Sequence, residues 1–129
     1  MTAIMSALAR ADFKTLLPAV SRASTTNGTG VDLVDYEGVA AVYLDAAAAG
    51  GGTADFKLQE SDDNSSWADV AAADIVGGAF TQVTTGGASL QTRYINISDR
   101  KRYIRGVVTI VTGPSVAGFE LVAQKKYQN

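Results

Sequence analysis

Residues 56–70, F-K-L-Q-E-S-D-D-N-S-S-W-A-D-V, have the pattern of a strand, a polar turn and a returning strand. Phe56 and Leu58 point to one face and the polar residues between them to the other, because side chains in a strand alternate with a period of two. Residues 62–66 are all Asp, Asn or Ser, whose short side chains bond to their own backbone in turns. Trp67, the only tryptophan, follows at once. We therefore predict a β-hairpin whose tryptophan is anchored in the core.

The rest of the chain continues the strand pattern, with glycine-rich or charged turns between short alternating segments. The alanine and glycine run at 46–52 is too short and too rich in glycine to sustain a helix. The predicted strands are 31–36, 39–45, 56–61, one beginning at 67, 80–84, 90–97, 103–112 and 117–127. Strand 39–45 is apolar on nearly both faces, which predicts a central position. About eight strands with short connections indicate an all-β fold, an antiparallel sandwich or jelly roll.

The first 20 residues do not fit this pattern. Ile4, Met5 and Leu8 have helical spacing, and Pro18 is expected to stop any helix that begins there. This segment either packs on the domain's own core or reaches onto a neighbouring subunit. We divide the chain into an N-terminal arm, residues 1–20, and a sandwich domain, residues 21–129.

Composition and charge exclude several classes of partner. The chain is 47 % apolar and 19 % charged, which suits one folded domain of 129 residues. Its formal net charge is −2, whereas sequence-independent binding to nucleic acid needs a basic surface. The longest apolar stretch, residues 39–49, contains Asp45 and is too short to span a membrane, and the N-terminus lacks a signal-peptide pattern. We expect no nucleic-acid or membrane partner.

The chain has no cysteine and no histidine, so disulfides, thiolate zinc sites and histidine bases are excluded. Residues 62–64 resemble the start of a calcium loop, but Trp67 stands where the EF-hand needs glycine. Glu60 and Asp62 could serve as a glycosidase carboxylate pair, yet nothing in the sequence marks a cleft. We predict no catalytic residue, no metal and no cofactor.

Two clusters are candidates for binding. The basic cluster of Arg100, Lys101, Arg102 and Arg105 is either a solvated turn, a contact to an acidic protein, or a sugar or phosphate site. The aromatic residues either pack in the core and rim or form a sugar-stacking platform. They are Trp67, Tyr94, Tyr103 and Phe119.

The motif L-Q-E-S-D-D-x-x-x-W-x-D-V at 58–70, followed by R-Y-I-R at 102–105, resembles a hairpin common in small structural proteins of tailed bacteriophages. It is similar, more distantly, to discoidin-like sugar-binding jelly rolls. The resemblance covers most of the chain after about Asn27. It implies a capsid decoration, or cement, protein on the outside of the phage head, which clamps neighbouring major capsid subunits, with a homotrimer favoured.

On this interpretation the candidate contacts are in two places. The arm offers Ile4, Met5 and Leu8, and the charged turn offers Asp99, Arg100, Lys101 and Arg102. Two other functions stay open, a head-to-tail connector or tail component, and a carbohydrate-binding module.

Overall fold

The computed structural model describes residues 9–127, which form ten β-strands and two single-turn 3-10 helices. The strands are β1 (Ala11–Arg22), β2 (Thr26–Asn27), β3 (Val31–Asp32), β4 (Tyr36–Ala46), β5 (Thr53–Ser61), β6 (Ala68–Asp69), β7 (Ile75–Val76), β8 (Ser89–Asn96), β9 (Tyr103–Val111) and β10 (Ser115–Lys125). The 3-10 helices are Ala72–Asp74 and Ile97–Asp99. Within these residues no helix has the length and apolarity to cross a membrane.

The strands form two antiparallel five-stranded sheets, which confirms the predicted all-β sandwich. The first sheet has the order β1-β10-β4-β8-β7. The second has the order β2-β9-β5-β6, and β3 also pairs with β9. The predicted hairpin is present, since β5 pairs with β6 through Gln59 and Glu60.

Phe119 on β10 is at the centre of the core between the two sheets. Its ring meets Phe56 edge to face at 5.7 Å and Phe80 at 5.1 Å, both favourable geometries for aromatic pairs. Gly106 on β9 faces this ring, and a Cβ at that position would lie 2.6 Å from Cδ2 of Phe119. A glycine is therefore needed for the second sheet to approach the first so closely.

β1 corrects part of the predicted N-terminal arm. Residues 11–20 lie in the first sheet, where β1 pairs with β10 over its whole length. The register shifts at two bulges, one between Thr15 and Leu17 and one around Pro18, which has no N–H to donate to the ladder. The first bulge turns the adjacent residues Leu16 and Leu17 into the core together. Ile4, Met5 and Leu8 lie outside the described residues.

Two predicted strands differ from those observed. Residues 80–84 form a loop with one isolated bridge, Ala54 to Val83, and not a strand. The side chain of Gln91 bonds both the N–H and the C=O of Thr81, so this backbone is satisfied without a neighbouring strand. Of the predicted strand 31–36, Val31–Asp32 forms β3 and Tyr36 begins β4, so residues 33–35 are not in a strand.

Candidate functional site

The polar turn of the hairpin is held by hydrogen bonds to one of its own carboxylates, that of Asp63. Asp63 accepts hydrogen bonds through Oδ1 from the N–H groups of Ser65 and Ser66 and from the hydroxyl of buried Ser61. These bonds, led by the one from Ser66, lower the pKa of the Asp63 carboxyl. No cluster of three or more potential metal ligands is found in residues 9–127.

Trp67 does not lie in the core, so that prediction is wrong. It is partly exposed beside the two-residue strand β6, at the edge of the second sheet. The guanidinium of Arg105 lies over its ring, 4.3 Å from the centroid, and donates to Oε1 of Gln59 at 2.7 and 3.0 Å. Because β6 is so short, the tryptophan covers an arginine and the loop at Gly30 instead of facing the other sheet.

Arg100, one of the predicted partner contacts, is buried inside the charged turn. Its side chain is 5 % exposed and pairs with Glu60 at 3.1 Å and with Asp74 at 3.4 Å. Glu60 also accepts the backbone N–H of Lys101 at 2.9 Å. Arg100 and Glu60 therefore fasten the turn to β5, and neither is presented to a partner or a substrate.

The other residues of the charged turn are exposed. Arg102 makes two bonds to Asp32, at 2.8 and 3.1 Å, and this arginine is the main reason that the pKa of Asp32 is lowered. Nζ of Lys101 lies 3.7 Å from Asp62. Asp99, Lys101 and Arg102 remain candidate contacts on a solvent-facing turn.

The four aromatic residues considered as a sugar platform are not brought together. Phe119 is in the core, and Tyr94 is on the first sheet. Trp67 and Tyr103 belong to the second sheet, and each has an arginine guanidinium over its ring. No common stacking surface results from these side chains.

An exposed apolar surface lies on the side of the first sheet that faces away from the second sheet, which we call the outer face. The strand registers place one apolar residue of each strand in a single row across it. The row is Phe13, Val122, Ala41, Tyr94 and Val76.

Exposed apolar side chains lie within this row and beside it. Phe13 is 71 % exposed, Leu90 73 % and Val39 61 %, and Tyr43 is also exposed. Between β1, β10, β4 and β8 there is an open depression of about 330 Å³, lined in part by Val39, Ala41 and Tyr94. Large contiguous apolar patches are uncommon on soluble monomers and mark interaction sites.

The outer face could not be recognised from the sequence because β4 is apolar on both sides. Val39, Ala41 and Tyr43 were attributed to burial in a central strand. β4 is indeed central in its sheet, between β10 and β8, but within residues 39–45 only Ala40, Val42 and Leu44 face the core. The apolar pattern of β4 was visible in the sequence. A strand that is buried on both faces and a strand with one apolar face exposed to solvent, however, have the same sequence pattern.

Comparison with known proteins agrees with this architecture. The model of the Bbp16 family matches residues 16–123. The SPBc2 prophage-derived protein YomS has a similar structure, with a TM-score of 0.51 at 16 % identity over 88 % of this chain and 93 % of YomS. The structure of infectious bursal disease virus, Gt strain, matches with a TM-score of 0.53 at 14 % identity over 92 % of this chain. The match covers 34 % of that viral chain. No curated protein matches the sequence.

Proposed function

This chain belongs to the Bbp16 family, and we propose that it is a structural protein of a bacteriophage virion. Two similarities of fold support the proposal, one to a prophage-derived protein and one to a chain of a virus particle. The resemblance of the 58–70 hairpin to phage structural proteins points the same way. The exposed apolar side chains of the outer face favour a role in attachment to another protein.

More specifically, the proposed role is that of a capsid decoration, or cement, protein on the outer surface of the head. The observation that carries this role is the outer face, which exposes an apolar row on a domain with a buried core of its own. Such a face gains free energy when another protein covers it. The proposed partner is the major capsid protein.

A protein that binds only the assembled shell stabilises that shell by mass action. Each contact can be weak if several subunits are held at once, which favours a symmetric oligomer at a symmetry axis. We therefore keep a homotrimer as part of the proposal. Residues 1–10 and the exposed turn residues Asp99, Lys101 and Arg102 are proposed as secondary contacts.

A matched pair of valine variants tests this role. Val39 on the outer face and Val111 at the end of β9 are 61 % and 59 % exposed. We expect Val39→Ser to weaken binding to phage heads that lack the protein by about tenfold or more, since one lost apolar contact is repeated in every copy. Val111→Ser should bind as the unchanged protein does.

Co-sedimentation of each variant with purified heads gives the comparison. Equal binding by the two variants would remove the outer face from the proposal. A head-to-tail connector or tail component would use the same kind of face, and its place in the particle distinguishes it from a decoration protein.

A further inference from the structure

We infer that the outer face docks against a protein surface that presents a lysine or arginine beside apolar side chains, with the cation seated between Glu120 and Asp45. This inference rests on the proposed function, because it names the chemistry of the partner at the same face. It is carried by the register of the first sheet, the ion pairs of the described residues and the absence of a side chain at Gly118.

The register places two carboxylates side by side on the outer face. Glu120 on β10 is opposite Tyr43 on β4, and Gly118 is opposite Asp45. Glu120 and Asp45 are thus diagonal neighbours on adjacent strands, a separation of about 7–8 Å between residues in such pairs. Both alternate with the buried residues Leu44, Phe119 and Leu121, so both point away from the core.

Neither carboxylate has a cation partner in residues 9–127. Glu120 accepts only the hydroxyl of Thr15, at 3.2 Å, and no side-chain bond to Asp45 is found there. Carboxylates elsewhere on the surface differ in this respect. Asp32 pairs with Arg102 at 2.8 Å and Asp69 with Lys57 at 3.0 Å.

Gly118 leaves room for a side chain from outside. A Cβ at this position would have one neighbour, Cβ of Ala19 at 3.5 Å, which is ordinary contact. The surface at Gly118, next to Asp45 and two residues before Glu120, is therefore low, and exposed Tyr43 lies diagonally beside it, with exposed Leu90 on the far side of Asp45. Lysine and arginine have apolar stems that can lie along such a surface while the charged group meets the carboxylates.

The apolar row and the carboxylates of Glu120 and Asp45 together indicate the chemistry of the partner's surface. A partner that covers the apolar row together with Tyr43 and Leu90 takes Glu120 and Asp45 out of water, and a desolvated charge is costly unless it is paired. A second copy that met this face around a two-fold axis at Glu120 and Asp45 would bring the same two carboxylates against one another. The occupant is accordingly a different surface, apolar with a positive charge at this point.

Neutral variants of similar shape test the inference. Glu120→Gln with Asp45→Asn removes both charges, Gly118→Leu fills the low surface at Gly118, and Asp55→Asn on the second sheet is the control for loss of a surface carboxylate. Each is measured by co-sedimentation with heads that lack the protein, at low and at high salt, after thermal unfolding has been compared. We expect the double variant to bind about tenfold more weakly at low salt and to lose most of its salt dependence.

Gly118→Leu should also bind more weakly, and Asp55→Asn should bind normally. Binding by the unchanged protein with equal binding by the double variant would overturn this inference and leave the proposed function standing. Failure of the unchanged protein to bind heads would instead overturn the proposed function. Light scattering that shows self-association, abolished by Val39→Ser and by Gly118→Leu, would assign the face to a second copy and contradict the inference.

Discussion

Trp67 stabilises the hairpin from the edge of the second sheet, by covering Arg105, and does not do so from within the core. An aromatic ring over a partly buried arginine contributes about 0.5–2 kcal/mol. We therefore expect Trp67→Ala to lower the free energy of unfolding by about 1–2 kcal/mol. Phe119→Ala, which empties the centre of the core, should cost about 3–5 kcal/mol. Urea unfolding of both variants measures the difference, and equal losses would place Trp67 in the core after all.

Asp63 gives the hairpin turn a dependence on pH. Its pKa is lowered in the folded protein by hydrogen bonds that favour the carboxylate, so its stabilisation is present above the unfolded pKa of about 3.9. It is lost as the pH falls through the lower, folded pKa. Asp63→Asn should thus be less stable than the unchanged protein at pH 7, and the gap should close at more acidic pH. Unfolding curves from pH 7 down to about pH 2 check this, and a gap that does not change with pH would contradict it.

At the scale of the elements, the charged turn is held to β5 by a buried ion pair. Arg100→Met removes the cation and leaves Glu60, whose side chain is 14 % exposed, without its partner. Breaking a buried pair in this way costs about 3–5 kcal/mol, and the remaining exposure of Glu60 makes about 2–4 kcal/mol our expectation. Lys101→Met, at an exposed position, should change stability by less than about 0.5 kcal/mol.

Urea denaturation at neutral pH compares the two variants of the turn. If Arg100→Met unfolds at the same urea concentration as Lys101→Met, the pair does not hold the turn. In that case Arg100 would again be a candidate for contact with a partner.

Alternation of side chains was enough to predict the sandwich class and the strands observed as β4, β5, β8, β9 and β10, but three features depend on tertiary structure. The bulge that buries Leu16 beside Leu17 breaks the period of two, so β1 was assigned to an arm. The pairing of Arg100 with Glu60 joins residues 40 positions apart. Trp67 was placed in the core because it stands where the returning strand of the hairpin must be fixed, whereas that strand, β6, has only two residues.

The candidate site was harder to predict from the sequence than the fold was. The charged turn was found because its residues are consecutive, although its most interior member, Arg100, was misjudged. The outer face takes residues from five strands between Phe13 and Val122, and only the strand order brings them into one row. The sequence pattern alone does not distinguish this face from a buried one, because it does not show that β10 pairs with both β1 and β4.

For the whole molecule, the described residues form a sandwich with its own buried core and an apolar row on the outer face. The core between the sheets is complete, so the apolar row on the outer face is not needed to hold the fold together. A core that does not depend on the outer face suits a protein that folds first and then binds to an assembled shell. The proposed gain for the particle is resistance to internal pressure, from many modest contacts made at once.

Electron cryomicroscopy of the phage particle with and without this protein tests the central claim most directly. The difference map should show compact density of the size of the sandwich on the outside of the head, at a symmetry axis and over the junctions between capsid subunits. The first sheet should face the shell, with the outer face covered. Difference density confined to the neck or tail, or a sandwich on the head with its outer face open to solvent, would contradict the account.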